Sequence, residues 1–186
     1  MAAQPHSVLE VGAGTGKASA LVKRVLLGIR MVATDISPAL CEKMRKFMKA
    51  AKVDVEVECQ DLFHLPYANL SFDVCFSEGV MEHFSLEDFS RGLKEQLRVG
   101  KIVLLSVPLL HWFLEGRSSQ GDELVMTKAM WIMLLLRCGW ILDISFLGPA
   151  LEEIIMIAAM STSGASLRIS KSGVMGVSET GLTIKV

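Results

Sequence analysis

Between Ser7 and Met160, short apolar runs alternate with stretches whose apolar residues recur every three or four positions. "SVLEVG" has the make-up of a buried strand and stops at a glycine; "RMVATD" is a second such run, with Asp35 at its carboxyl end. Between them, Lys17 to Gly28 has helical spacing that sets Leu21, Val25 and Leu26 on one face, with Gly28 closing the helix. "SPALCEKMRKFMKAAK" opens with Ser37 as N-cap and Pro38 at the first helical position. "VDVEVECQD" alternates apolar and polar residues, the mark of a half-exposed edge strand, and ends near Asp61.

After the loop "LFHLPYANLS" come a fourth strand, "FDVCFSE", a helix from Leu86 to Val99, and a wholly apolar fifth strand, "KIVLLSVP". "LEGRSSQGDE" reads as a surface loop. Leu124 to Cys138 reads as a helix apolar all round, which implies burial on more than one side. "WILDISFLG" and "EEIIMIAAM" form a last pair of strands whose short connection predicts antiparallel pairing. Alternating β and α segments predict an α/β domain over residues 1–160, a doubly wound, mostly parallel sheet with helices on both faces. Residues 161–186 are rich in Ser, Gly and Thr and read as a largely flexible tail in which "GLTIKV" is placed to dock as an edge strand.

Composition narrows the function classes. The chain has 186 residues, 51% hydrophobic and 21% charged, with a formal net charge of -1 and no basic stripe, so a nucleic-acid partner is not expected. Cys41, Cys59, Cys75 and Cys138 lack C-x-x-C spacing and read as free thiols rather than a disulfide framework or zinc site. "MAAQPHSVLEVG" has no charged region followed by a long apolar run, so a cytoplasmic setting is expected. The apolar run Ala129 to Leu136 is too short to span a bilayer, which takes about 20 residues. No transmembrane segment is therefore expected, and the apolar 124–140 helix is instead a candidate surface for a homodimer, a partner or a lipid-like molecule.

"VLEVGAGTGKAS" carries the candidate chemistry. A P-loop would need glycine where Val11 stands and a hydroxyl where Ala18 stands, so Lys17 reads as a solvated first-turn residue. A dinucleotide loop, G-x-G-x-x-G, is one residue longer than Gly12-x-Gly14-x-Gly16. The stretch instead resembles the first motif of class I S-adenosylmethionine-dependent methyltransferases, E-x-G-x-G-x-G. Three further stretches extend that resemblance. Asp35 lies at the end of the second strand. "CQDLFHLP" and "LPYANLSFDVCFSEGVMEHF" are similar to the family's small-molecule, type 11-like branch. "LKEQLRVGKIVLLSVP" follows its "LRPGGxLxxSxP", with Val99 and Lys101 in place of the usual proline and second glycine, which implies an altered turn.

The resemblance implies a Rossmann-like, seven-stranded sheet with an antiparallel last strand, binding S-adenosyl-L-methionine. Glu10, Gly12, Ala13, Gly14 and Gly16 would line the donor. Asp35, with Ile36 beside it, would hold the ribose, and Asp61 and Leu62 would read the adenine. Ser77 and Glu78 would lie beside the sulfonium, with Asp73 structural. The implied activity is methyl transfer to a small or lipid-like acceptor by in-line displacement; the alternative is a donor-binding subunit that is non-catalytic or partner-dependent. His83 is the candidate base, with Glu82 equally ambiguous. Glu82-His83 also matches the end of an E-x-x-E-H cation motif, but its first ligand falls on Gly79, so no metal is expected. His6, His64 and His111 show no partner spacing. A first strand at Ser7 implies that the family's N-terminal lid helices are absent.

Overall fold

The computed structural model describes residues 5–110, 123–124, 126–137, 143–147, 154–160, 175–178 and 181–184. Five strands run parallel: β1 (Ser7–Val11), β2 (Arg30–Asp35), β3 (Glu56–Cys59), β4 (Phe72–Glu78) and β5 (Gly100–Pro108). Beyond β5, β7 (Ile154–Met160) pairs antiparallel with both β5 and β6 (Asp143–Leu147), so the sheet order is β3-β2-β1-β4-β5-β7-β6. The chain winds outward from β1 to β3 and then crosses back to β4 beside β1. That reversal opens a crevice at the carboxyl ends of β1 and β4, where ligands of open α/β sheets bind.

The sheet is apolar on both faces because both are covered. On one face Leu9, Val11, Cys75, Val103 and Leu105 pack with Phe89, Leu93 and Leu97 of helix α3 (Leu86–Val99). On the other, Val8, Met31, Val74, Ile102 and Leu104 pack with Ile29, and Ala33 packs with Ala20 of helix α1 (Lys17–Val25) and Met44 and Met48 of helix α2 (Pro38–Ala51). Neighbouring residues of β1 thus serve opposite faces, as the period of two demands. Ser37 caps α2 by accepting from the Leu40 N–H at 3.4 Å, and Ser85 caps α3 by accepting from the Asp88 N–H at 3.1 Å. β3 lies at the sheet edge, and its residues are all half-buried or exposed.

Several sequence expectations are corrected. α1 ends at Val25, and Leu21 and Val25 are exposed. Leu26, just past its end, packs inward as expected, but the helix itself turns Ser19 and Val22 inward, and Val22 with Leu26 reaches the Val8–Ile29 cluster. Helix α4 (Lys128–Arg137) begins four residues later than the pattern suggested, with the Thr127 hydroxyl accepting from the Met130 N–H at 3.3 Å. Nor is α4 enclosed on all sides: Trp131 and Leu135 are buried, whereas Met130 and Met133 are exposed. The final stretch does not extend the main sheet. β9 (Gly181–Ile184) pairs antiparallel with β8 (Met175–Ser178), its neighbour across a two-residue connection. Cys41, Cys59 and Cys75 are free thiols; Cys138 and His111 lie outside the described residues.

Asp73, at the start of β4, ties the amino ends of three central strands together. It accepts from the backbone N–H groups of His6 (2.7 Å) and Ser7 (3.1 Å) and from Lys101 Nζ (2.7 Å). Lys101, where the resemblance would place a glycine, thus makes an ion pair with Asp73. Burial pushes the Asp73 carboxyl up, but Lys101 and the two N–H groups outweigh it and hold the group below its ordinary 3.8. A lowered carboxylate stabilises the fold above its unfolded value, and that contribution vanishes as the pH falls through the folded value. Asp73→Asn is therefore expected to cost about 1–3 kcal/mol at neutral pH. The loss should shrink in acid, as read by urea unfolding across a pH series.

Candidate functional site

At the end of β1 the chain enters a tight loop, with the Ala13 N–H bonded to the Thr34 carbonyl (2.8 Å) and the Gly16 N–H to the Ala13 carbonyl (2.7 Å). Gly12, Gly14 and Gly16 all have positive φ, at 71°, 55° and 75°. Their surroundings separate them. A Cβ on Gly12 would lie 2.5 Å from a Val80 methyl, and one on Gly16 would lie 2.6 Å from Met44 Cγ and Met48 Cε. A Cβ on Gly14 would meet nothing within 4 Å among the described residues. Gly12 and Gly16 are therefore demanded by packing, and of the three only Gly14 opens toward empty space.

Asp35, the last residue of β2, closes over this loop. Its Oδ2 accepts from the Gly14 N–H at 2.8 Å and its Oδ1 from the Ser37 N–H at 2.9 Å. The carboxylate thus serves the turn into α2 and faces the glycine loop at once. Each carboxylate oxygen keeps a lone pair for a further donor. Ile36, next to it, is 68% exposed at the rim.

The Gln60 N–H bonds to the Asp35 carbonyl at 3.0 Å, which brings the start of the next loop alongside. There the Asp61 carboxylate is engaged locally: Oδ1 accepts from the Phe63 N–H at 2.9 Å and Oδ2 pairs with His64 Nδ1 at 3.1 Å. The Phe63 N–H foremost, and then His64, hold it below the ordinary carboxylate range. His64 thus has a partner that its spacing had not suggested. Leu62 turns its side chain into the core over Gly92, which leaves its backbone as the part available to a ligand.

Two more acids and a hydroxyl complete the crevice. Glu10 is buried in β1 and accepts from the Ser19 hydroxyl. Burial pushes its carboxyl up to about 7 against the Ser19 hydrogen bonds, and the charges of Glu78 and Asp35 add to the rise. Glu78, ending β4, is exposed; Ser77 before it is buried, and its Oγ has no hydrogen-bond partner among the described residues. No ion pair among the described residues engages Glu10, Asp35 or Glu78.

Such a cluster favours a cationic ligand. The folded state resists ionising Glu10 between 4.5 and about 7, and a neighbouring cation relieves that resistance. Affinity for a sulfonium ligand is therefore expected to rise as the pH climbs through about 7 and then level off. Proton release should accompany binding, seen by calorimetry in buffers of different ionisation enthalpy.

His83 and Glu82 sit on a 3-10 turn (Met81–His83) that comes after β4, with His83 half-buried and Glu82 buried. Sequence reading missed two further contributors, Ser19 and Val80. Both are set by three-dimensional contact with β1 and its loop, and only Ser19 left a trace, as a polar residue on an inward helical stripe.

A switch-point crevice floored by a glycine loop and lined by carboxylates defines a Rossmann-like α/β domain built to hold a nucleoside-type ligand at its strand ends. A family model described as methyltransferase domain matches residues 8–101, and the chain belongs to that family, the class I S-adenosylmethionine-dependent methyltransferases. Among curated relatives, the chain is 30% identical over 112 residues to a demethylmenaquinone methyltransferase of Deinococcus radiodurans, covering 58% of this chain and 46% of that one. It is 34% identical over 95 residues to a malonyl-[acyl-carrier protein] O-methyltransferase of Halorhodospira halophila, covering 51% of this chain and 31% of that one. The chain therefore spans less than half the length of these relatives. Among solved structures, a Pyrococcus horikoshii protein superposes with a TM-score of 0.71 at 18% identity, covering 86% of this chain and 83% of the other.

Proposed function

We propose that the chain transfers a methyl group from S-adenosyl-L-methionine to a small or lipid-like acceptor by in-line displacement. The observation that carries this reading is the Asp35 carboxylate facing Gly14 at the end of β1, with Glu78 at the end of β4 on the other side of β1. The residues present fit the donor. Gly14 leaves open space, the Ser77 hydroxyl is buried and unpartnered, and three carboxylates wait without a paired cation among the described residues. When bound, S-adenosylmethionine supplies a methyl group on a positively charged sulfur that departs as a neutral thioether.

The chain's own part is to bind and to orient. Asp35 would take the ribose hydroxyls, with Ile36 over the adenine edge and Asp61 and the Leu62 backbone reading its amino group. Glu10, Ala13, Gly14, Ser77 and Glu78 would surround the amino-acid tail and the sulfonium, on a loop whose shape Gly12 and Gly16 secure. Holding reactants collinear supplies much of the acceleration in such a displacement, and no acid is needed for a neutral leaving group. His83 is the candidate to take a proton where the acceptor carries one. In this reading residues 1–160 form the catalytic unit and the seven strands form the complete family sheet. The relatives' names point to a quinone precursor and an acyl-carrier thioester as models for the acceptor. No described helix is long and apolar enough to cross a membrane.

Calorimetric titration tests the reading directly. Binding of S-adenosylmethionine with no binding of NAD is expected, and tight NAD binding without donor binding would overturn it.

A further inference from the structure

Glu82 is a buried carboxyl that the donor site does not use. It is 4% exposed, and its Oε2 has no hydrogen-bond partner among the described residues. Leaving a buried polar group unpaired is costly, and more so for a charged one. An aliphatic side chain at the same place would escape that penalty. Orphans of this kind call for an explanation in what binds to them.

The placement of the other oxygen supplies one. Gly79 directly follows Glu78, and a Cβ built on it would find one neighbour within 4 Å, Glu82 Oε1 at 3.8 Å. Val80 next in line packs against Gly12. The Glu82 carboxyl therefore lies beside Gly79 just past the end of β4, one residue beyond Glu78 and next to the Val80 that packs on the glycine loop. On the proposed reading, that is where a molecule approaching the methyl group must stand. From the other side the segment before α4 is laid across the turn, with the Leu124 N–H bonded to the Glu82 carbonyl at 2.6 Å.

Two ionisable groups bear on Glu82. Burial raises its carboxyl above the ordinary range and Glu123 pushes the same way, while His83 and the backbone N–H groups pull it back. In either protonation state a carboxyl oxygen can accept a hydrogen bond from a hydroxyl.

Resting on the methyltransferase reading, we propose that Glu82 is the acceptor-recognition residue, and that it hydrogen-bonds a neutral hydroxyl of the methyl acceptor. A site with a buried polar group discriminates strongly against ligands that leave it unpaired. The test uses the full chain saturated with S-adenosylhomocysteine and two probes of nearly equal shape, phenol and fluorobenzene, with binding read by ligand-observed NMR. The wild-type protein is expected to bind phenol about tenfold tighter than fluorobenzene. Glu82→Leu should erase that preference and Glu82→Gln, which keeps shape and hydrogen bonding, should retain much of it. Both variants should bind S-adenosylhomocysteine as the wild type does. Absence of a phenol preference in the wild type overturns the proposal, as does a preference that survives Glu82→Leu. If the leucine variant fails to fold, Glu82→Met takes its place as the variant that must lose the preference, and an absent wild-type preference overturns the proposal in any case. A wild-type protein that binds no S-adenosylhomocysteine sinks the methyltransferase reading itself, so the two failures are distinguishable.

Discussion

Replacing Asp35 with alanine is expected to weaken S-adenosylmethionine binding about a hundredfold, the largest single effect at this site. Charge-assisted hydrogen bonds are each worth about 1.5–3 kcal/mol, and Asp35 would make two to the ribose, so a combined loss near 3 kcal/mol is a conservative sum. The substitution also strands the N–H groups of Gly14 and Ser37, which the carboxylate now holds at 2.8 and 2.9 Å. Some loss of melting temperature should accompany the loss of affinity. Asp35→Asn separates the two contributions, since an amide oxygen can still accept from one N–H while the charge is gone; about tenfold weakening is expected there. Calorimetry with the donor measures both variants. An affinity unchanged in Asp35→Ala would remove this residue from the site and with it the main support for the proposed function.

The glycines of the loop should divide into two behaviours. Gly12→Ala forces a side chain into left-handed backbone at φ 71° and drives its Cβ to 2.5 Å from Val80, a stiff branched neighbour. Backbone strain of about 1–2 kcal/mol and overpacking of about 1–3 kcal/mol add to roughly 2–5 kcal/mol. For a chain of this size that corresponds to a fall in Tm of about 5–15 °C. Gly14→Ala carries the backbone strain alone, because space is open around it. It should melt within a few degrees of the wild type yet lose donor affinity by about tenfold, since the new methyl group intrudes where the ligand must approach the backbone. Thermal melts and donor titrations on the same two variants decide the matter. Equal melting points, or normal binding by Gly14→Ala, would contradict the division.

The elements that sequence reading located best were those with local punctuation. The sequence pattern bounded α3 from Leu86 to Val99, and Ser37-Pro38 opened α2 where the structure begins it. Asp35 was legible because a strand end and a capping serine both flank it. Where the deciding contact is remote in sequence, the reading went astray. The exposed Leu21 and Val25 of α1 looked like part of a core stripe with Leu26, and only the position of Val8 and Ile29 shows that Val22 joins Leu26 inward instead. The start of α4 depends on Thr127 and on Leu124 bonding to the Glu82 carbonyl, neither of which a pattern of apolar residues can register. The distinction between Gly14 and its two neighbours was likewise hidden, since all three share positive φ and differ only in what lies across from them.

The crossover from β3 back to β4 divides labour along the gene as well as in space. Everything that would grip the nucleoside comes from one uninterrupted segment, Glu10 to Leu62, whereas Glu78, Glu82, His83 and the Leu124 strap belong to a second segment nearer the carboxyl terminus. On the proposed reading, drift confined to Glu82 and the Leu124 strap would exchange the molecule being modified while leaving the nucleoside's own contacts untouched. The two named relatives, one for a quinone precursor and one for a carrier-bound acyl group, are the kind of divergence such an arrangement permits.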